Sequence, residues 1–301
     1  MTRVLFVHGR RASFVVLDRD IMRITDTWLA LPALTFAILA ERYEIEDLYQ
    51  PGRFPNPIAV IGGVARADLV FGWFASWHTF FPITLAWLVR KPTVLIVGGF
   101  DTANMPDIGY GHQRGGLRRW ASRWIMRRSR RLVTNSDYSL SEIERNTPIA
   151  RSRVTVIHHG VPDRFGELPG RKQPEALTVG AIDRTTLVQK GQLAFVRGAA
   201  ELPDVRFVFA GKWLDAAIDV LRAGAPENVE FTGWLSEPEL NARYRDAAVY
   251  VQASRHEGFG LAVAEAMLAG CVPAETAHAL LVSASALMLA LPRTSRSPFT
   301  S

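Results

Sequence analysis

The residues from Ala248 to Gly270 constrain this chain more than any other stretch. Ala248-Val249-Tyr250-Val251-Gln252 is a short apolar run, rich in β-branched and aromatic side chains, with the composition of a buried strand. Leu261, Ala264, Glu265, Leu268 and Ala269 then recur at helical spacing. Between the two runs lie Gly258 and Gly260, whose lack of a Cβ lets the backbone turn tightly and approach a ligand closely. A helix that begins at such a turn presents unpaired N–H groups, and its dipole favours an anion there. A phosphate is the natural guest.

Glu257 stands at the turn and Glu265 about two turns into the helix, where carboxylates can accept hydrogen bonds from sugar hydroxyls. Two glutamates at this spacing are commonplace on a surface helix, but the longer pattern is not. Glu257-Gly258-Phe259-Gly260-Leu261, followed by Glu265-Ala266-Met267 and Gly270-Cys271-Val272-Pro273, resembles the donor site of the retaining glycosyltransferases of family 4. The resemblance is detailed from Leu177 to Pro273 and loose from Thr93 to Pro162. Before Thr93 it is a matter of fold analogy alone. It implies an α/β chain of the GT-B fold, with two Rossmann-like domains facing a cleft and a nucleotide-sugar as donor.

At 301 residues there is room for two domains, and 48% hydrophobic with 21% charged residues is the composition of a soluble globular protein. The net charge of +6 favours anionic partners such as nucleotides, acidic lipid surfaces or nucleic acid. One cysteine, Cys271, excludes an internal disulfide and a cysteine-based zinc cluster, which suits a reducing cytoplasm; its side chain reads as a small apolar filler. Val4 to Val7 is cut off too soon by His8-Gly9-Arg10-Arg11 to be the apolar core of a signal peptide. Trp28 to Ala40 and Phe80 to Val89 contain proline and fall short of the roughly 20 residues a membrane span needs, so none is expected.

In the first half, strand-like runs at Val4 to Val7, Tyr43 to Leu48, Asp68 to Phe74, Thr93 to Val97 and Arg131 to Thr134 alternate with helical patterns, which predicts a parallel sheet covered on both faces. Gly9 and Arg10 follow the first strand and are assigned to the acceptor side. Gly98, Gly99 and Asp101 follow the fourth, where open α/β sheets bind ligands. The resembled family often carries His-Gly there and this chain lacks the histidine, so two readings stand, an acceptor-pocket lining and a plain turn. Asp18 and Asp20 form an Asp-x-Asp pair, the metal-holding pattern of the other large glycosyltransferase fold. They come too early for that role and read as an exposed helix face. No bound metal is expected.

Ile108 to Ser136 contains no acidic residue and eight arginines, from Arg114 to Arg131. Leu117, Trp120, Ala121, Trp124 and Ile125 follow helical spacing, so this helix is amphipathic with arginine on its flanks. One reading lays it on an anionic membrane surface. The other packs the tryptophans into the core and leaves the arginines solvated. Nucleic acid is the third reading, weakened by the absence of any recognisable binding module.

Ser136-Asp137 caps the next helix, with Ser139 and Glu142 at capping-box spacing. Arg153 to Pro162 resembles the segment by which family members leave the first domain, with His159 where asparagine is usual. The reading is therefore an acceptor-side domain over 1–162, a linker over 163–175, a nucleotide-sugar domain over 176–273 and an atypical tail over 274–301. Strand-like runs resume at Leu177 to Gly180, Val205 to Ala210, Asn228 to Thr232 and Ala248 to Gln252. Ser236 and Glu239 form a capping box with Pro238 in the first turn, predicting a helix from about Ser236 to Asp246.

The resemblance implies roles for particular residues. In the family, an arginine and a lysine in the loop after Gly180 contact the donor diphosphate. Lys190 before Gly191 fits the lysine position, whereas the usual arginine position is not filled, leaving Arg184 as the replacement. Lys190, Arg184 and the N–H groups around Gly258, Phe259, Gly260 and Leu261 would stabilise the departing diphosphate. Glu257 would contact the donor sugar, grouping it with Lys190 and Arg184 as catalytic, and Glu265 the ribose. Gly180, Gly211 and Gly233 would border the nucleotide. The implied activity is cytoplasmic, metal-independent sugar transfer with retention of anomeric configuration. A nicotinamide-dependent oxidoreductase would show Gly-x-Gly-x-x-Gly after a strand, and neither half does.

After Gly270-Cys271-Val272-Pro273 the family continues with a short buried strand, further α/β units and a helix returning to the first domain. Here the sequence runs through Ala274-Glu275-Thr276-Ala277-His278 into a small and apolar stretch from Ala279 to Leu291. The reading is a truncated or frame-shifted chain of low stability and little or no transfer activity. Its alternatives are a remnant that at most binds nucleotide or an anionic surface, and a shortened ending that docks in the gap.

Overall fold

The computed structural model describes residues 2–8, 35–49, 56–168 and 170–275. Gly9, Arg10, Asp18, Asp20, most of Trp28 to Ala40 and everything after Glu275 lie outside the described residues, and with them the sequence readings placed there. By internal contacts the chain divides into Met1–Ile157 and His158–Ser301.

The first unit holds six parallel strands, β1 (Arg3–His8), β2 (Glu44–Tyr49), β3 (Leu69–Trp73), β4 (Thr93–Ile96), β5 (Arg131–Thr134) and β6 (Val154–Val156), in the order β2-β1-β3-β4-β5-β6. Val4, Leu5, Phe6 and Val7 are all buried, the continuous apolar run expected of a strand covered on both faces. Among the helices are α1 (Pro57–Arg66), α2 (Trp77–Leu88), α3 (Gly116–Arg128) and α4 (Asp137–Asn146). Asn56 caps α1 by accepting from the Ile58 and Ala59 N–H groups, with Pro57 in the first turn where its missing donor costs nothing. The core joins Leu5, Val70, Ile83, Leu95, Ile125, Leu132 and Ile143.

Two local expectations are corrected. Ser136 alone caps α4, through the Ser139 N–H at 3.0 Å, while Ser139 and Glu142 lie inside the helix and are buried. The tryptophans of α3 do not pack into the sheet core. Its buried face is Ala121, Ser122, Ile125 and Met126, with Leu117 and Trp120 exposed. Ser122 turns inward because its hydroxyl donates to the Asp101 carbonyl, and the tryptophans turn sideways onto the aromatic rings of α2.

The second unit holds five parallel strands, β7 (Gln173–Val179), β8 (Arg206–Ala210), β9 (Val229–Gly233), β10 (Ala247–Gln252) and β11 (Val272–Glu275), in the order β11-β10-β7-β8-β9. Its helices are α5 (Thr186–Gln189), α6 (Gln192–Ala200), α7 (Ala217–Ala223), α8 (Glu237–Asp246) and α9 (Leu261–Leu268). β7 begins inside the stretch read as linker. Pro174 is accommodated because the β10 pairing shifts register between Ala247 and Val249, an irregularity that spares it from donating to a regular ladder. The capping box forms as expected, with the Ser236 N–H donating to Glu239 Oε2 at 2.7 Å. β11 pairs with β10 as far as Gln252 beside Glu275.

From β7 the chain builds outward through β8 and β9, then returns to lay β10 on the opposite side of β7. That reversal makes β7 and β10 the switch point of the sheet, and open α/β sheets bind ligands outside the carboxyl ends of strands at such a point.

Candidate active site

The loops leaving β7 and β10 are locked together at the switch point. The Arg255 N–H donates to the Gln189 carbonyl at 2.8 Å, and the backbone at Gly191 passes directly under Ala253. A Cβ at residue 191 would fall 1.9 Å from the Ala253 carbonyl oxygen, and Gly191 also has φ +64°. Only glycine fits there, on both counts. The close crossing delivers the preceding residue, Lys190, to Glu257. Lys190 Nζ donates to Glu257 Oε2 at 2.7 Å across 67 positions of sequence.

Glu257 is buried, with 5% of its side chain exposed, whereas Lys190 keeps 19% in contact with solvent. Burial pushes the Glu257 carboxyl up, but the charge of Lys190, its hydrogen bond, His256 and the Gly258 N–H together hold it below the ordinary carboxylate value. Gln252 fixes the carboxylate from the other side. Its Nε2 donates to Ser254 Oγ at 2.6 Å and to Glu257 Oε2 at 3.0 Å, and its own Oε1 accepts from the Tyr250 hydroxyl at 3.1 Å.

The turn after Glu257 reaches α9 through Gly260, which stands at the helix N-cap with φ +79°. The first N–H groups of a helix have no intrahelical partner, so those of Leu261 and its successors form the anion-favouring end beside the ion pair. Phe259 is buried beneath His158 and His159, with ring centroids at 6.3 and 5.0 Å. Burial, with a contribution from His158, pushes His159 down to about 4, so this ring is neutral at physiological pH. On α9, Glu265 accepts from the Tyr244 hydroxyl at 3.2 Å. Burial raises its carboxyl, which Arg164 and Tyr244 only partly offset.

Lys190, Glu257, Gly258, Phe259, Gly260 and Leu261 therefore come together at one edge, with Glu265 about one turn into the adjoining helix, nearer its start than the sequence spacing suggests. Arg184 lies on the exposed loop before α5; its N–H donates to Asp215 Oδ2 at 3.2 Å. Gly180 and Gly211 cross so closely that a Cβ on residue 211 would meet the Gly180 carbonyl oxygen at 1.9 Å. Gly233, at the end of β9, has φ +72° and lies against the Trp213 ring. The sequence pattern does not mark Gln252, Ser254 or His159 as site residues. Gln252 and Ser254 flank the recognised turn, but only their three-dimensional packing reveals that they hold Glu257.

In the first unit, Gly98 and Gly99 both have positive φ and lead to Asp101. The Asp101 carboxylate accepts from the Ala75 N–H at 2.9 Å and the Gly98 N–H at 3.0 Å, tying the loop after β3 to the loop after β4. Burial pushes this carboxyl up to about 7, against the two N–H groups that favour its charge. His78 donates to the Trp73 carbonyl at 2.6 Å, and His8 meets Asp47 at 2.8 Å. Burial is also the leading cause that lowers both His78 and His112. The sequence reading singled out neither histidine. Among the described residues no group of three or more histidine, cysteine or acidic side chains is placed to hold a metal, and no helix is long and apolar enough to cross a membrane.

Two family models match the chain, Glycosyltransferase Family 4 over residues 41–165 and Glycosyl transferases group 1 over residues 173–281. The chain belongs to family 4 of the glycosyltransferases. Its second match continues past Pro273 and covers both loops of the switch point. Similar curated family members include a GDP-mannose:cellobiosyl-diphosphopolyprenol alpha-mannosyltransferase of Xanthomonas oryzae pv. oryzae, 34% identical over 134 residues, or 42% of this chain and 35% of that one. A lipopolysaccharide core biosynthesis mannosyltransferase of Rhizobium leguminosarum bv. viciae is 32% identical over 171 residues, 48% of this chain and 44% of that one. The matched region thus spans less than half the length of these relatives.

Among solved structures, sucrose-phosphate synthase from Thermosynechococcus elongatus superposes with a TM-score of 0.67 at 14% identity, covering 92% of this chain and 82% of that one. Anabaena HepE, solved in complex with UDP and glucose, superposes at 0.58 and 16% identity over 80% of this chain and 69% of that one. The fold is GT-B, built from two Rossmann-like units.

Proposed function

We propose that this protein transfers a sugar from a nucleotide-sugar to an acceptor, with retention of anomeric configuration and without a metal. The observation that carries the reading is the Lys190–Glu257 pair beside the N-terminus of α9, at the switch point of the second sheet. Leaving-group charge is what such a reaction must stabilise, and a fixed ammonium with preoriented N–H groups is the electrostatic means of doing so. An ammonium has three donors, so pairing with Glu257 is compatible with contact to phosphate oxygens.

Lys190 and the N–H groups from Phe259 to Leu261 hold the diphosphate in this reading, the Gly258 N–H being engaged by Glu257 Oε1 at 3.1 Å, and Arg184 adds charge from its exposed loop. Glu257, fixed by Lys190 and Gln252, accepts from a hydroxyl of the donor sugar. Glu265 accepts from the ribose, with Gly180, Gly211 and Gly233 bordering the nucleotide. The first unit takes the acceptor side, where Gly98, Gly99 and Asp101 shape the carboxyl edge of the sheet. The names of the relatives support the donor class, since one uses GDP-mannose and HepE binds UDP. The proposed setting is the cytoplasm, with an anionic membrane surface as a further partner.

A thermal-shift screen of nucleotide-sugars tests the donor assignment, because a ligand that binds the native state alone raises the melting temperature. The best stabiliser is then assayed for transfer, with the anomeric configuration of the product read by NMR. A cooperatively melting protein that no nucleotide-sugar stabilises would overturn the reading, and an inverted product would overturn retention.

A further inference from the structure

Helices α2 and α3 pack side by side and join their aromatic residues into one continuous surface. Trp77 meets Phe80 with ring centroids 5.9 Å apart, Phe80 meets Phe81 at 5.4 Å and Trp120 at 5.6 Å, Trp120 meets Trp124 at 5.6 Å, and Trp124 meets Trp87 at 6.3 Å. These six rings form a ridge along the seam of the two helices. Its crest is open to solvent. Phe81, Trp87, Leu88, Val89, Leu117 and Trp120 are between 45% and 63% exposed. Scattered exposed apolar residues need no explanation, but a contiguous patch of large ones marks an interaction surface.

The charge around the ridge has one sign. There is no acidic residue from Leu69 to Phe100, which includes all of α2, or from Ile108 to Ser136, which includes all of α3. Arg118, Arg119 and Arg127 are exposed on α3, and Arg90 follows α2. The Arg128 guanidinium lies over the Trp124 ring at 3.4 Å and the Trp87 ring at 4.7 Å, bringing positive charge onto the ridge itself. Arg123 is different. It donates inward to Gln113 Oε1 and to the Asn146 carbonyl, and so serves the fold.

We infer that the ridge formed by α2 and α3 docks on an anionic lipid bilayer, seating Trp87, Leu88, Val89 and Trp120 among the headgroups while Arg128 on the ridge, with Arg127 and Arg90 at its edge, meets lipid phosphates. The two components match the two layers of a membrane surface: tryptophan favours the interfacial depth, and basic side chains are attracted by anionic lipid. The aliphatic crest at Leu88, Val89 and Leu117 selects a bilayer over nucleic acid, because aliphatic side chains provide no stacking platform for bases. The inference stands on this surface alone and is independent of the donor site.

Flotation of the full chain with vesicles tests it. One vesicle preparation is phosphatidylcholine alone, and the other is phosphatidylcholine and phosphatidylglycerol in equal amounts. The protein is expected to float with the second and not the first, with tryptophan emission shifting to shorter wavelength on binding. Leu88→Asp combined with Val89→Asp, and separately Arg90→Glu, Arg127→Glu and Arg128→Glu together, should each reduce partitioning on the order of tenfold or more. Unchanged melting of both variants shows that the fold is intact. Should a variant melt lower, a salt titration of the unmodified protein decides the electrostatic part, which must weaken as salt rises. Equal flotation with both vesicles overturns the inference, as does undiminished flotation of both variants. A mass that doubles with concentration in light scattering, is abolished by the Leu88 and Val89 changes and is accompanied by no flotation would assign the ridge to a second copy of the chain instead. Binding to a single-stranded oligonucleotide without flotation would assign it to nucleic acid.

Discussion

Each of the two sheets carries a buried carboxylate at the carboxyl ends of its strands, and the two sit in opposite electrostatic environments. Asp101 in the first unit is 2% exposed and Glu257 in the second 5%. Both accept backbone N–H bonds. Burial nevertheless pushes Asp101 up to about 7, while Glu257 is held below the ordinary carboxylate value. The difference is Lys190, at 2.7 Å from Glu257. Dipoles alone do not keep Asp101 charged in the interior, and one ammonium reverses the balance for Glu257. The first arrangement ties loops together, and the second holds a fixed pair of charges where a ligand can use it.

The greatest stability change is expected at Asp101. Because its folded value is raised, the native state holds this proton more tightly than the unfolded chain. The associated stability is full below about 4 and is lost as pH rises toward 7. At about 1.4 kcal/mol for each pH unit this amounts to roughly 4 kcal/mol. Asp101→Asn should remove most of that slope while lowering stability at acid pH, because its amide cannot accept from both the Ala75 and Gly98 N–H groups. Urea melts from pH 4 to pH 7 read the difference through tryptophan emission, which reports mainly on the first unit because six of the eight tryptophans precede Ile157.

Next in size is Lys190→Ala, which should make Glu257 resemble Asp101. The lost cation leaves a buried carboxylate unpaired, and the expected cost is roughly 3 kcal/mol, at the low end for a broken buried pair because Lys190 is partly solvated. Glu257→Gln in the same chain should recover most of the stability without restoring nucleotide binding. For the unmodified protein the sign at Glu257 is opposite to that at Asp101. Its contribution is present above the ordinary glutamate value and is lost as pH falls through its depressed folded value.

Gln252→Leu weakens the support of Glu257 while leaving Lys190 in place. It removes the donor to Glu257 and the acceptor for Tyr250, and should cost about 1 to 3 kcal/mol while letting the Glu257 carboxyl rise. Carboxyl NMR resonances would follow that rise. The smallest stability change is expected for Glu265→Gln, within about 1 kcal/mol, since a glutamine can still accept from the Tyr244 hydroxyl. Its effect should fall on nucleotide affinity instead.

What the sequence revealed follows from what local pattern encodes. Short apolar runs marked both sheets because a strand covered on both faces must be apolar along its length. Lys190-Gly191 and Glu257 to Leu261 were legible because tight crossings demand glycine, and glycines at strand ends are visible as letters. Pro174 hid the start of β7, since proline ordinarily argues against a strand and only the shifted β10 register makes room for it. The ridge was half legible. Helical spacing exposed the tryptophans of α3, but their partners Phe80, Phe81 and Trp87 belong to α2, and a one-dimensional pattern cannot pair two helices. The fixed geometry of Glu257 was equally hidden, because it depends on which of its amide contacts Gln252 makes.

The most direct test of the donor site is calorimetric titration of nucleotide-sugars, UDP-glucose and GDP-mannose among them, into three proteins: the unmodified chain, Glu257→Gln, and Lys190→Ala combined with Glu257→Gln. Comparing the last two separates loss of the ammonium from loss of stability. The expected result is saturable binding to the unmodified chain and a further loss of about 1.5 to 3 kcal/mol when Lys190 is removed from the Glu257→Gln background, the value of a charge-assisted hydrogen bond. Equal affinity in those two variants, or no nucleotide-sugar binding by a folded unmodified chain, would contradict the assignment of the β7 and β10 edge to the donor diphosphate.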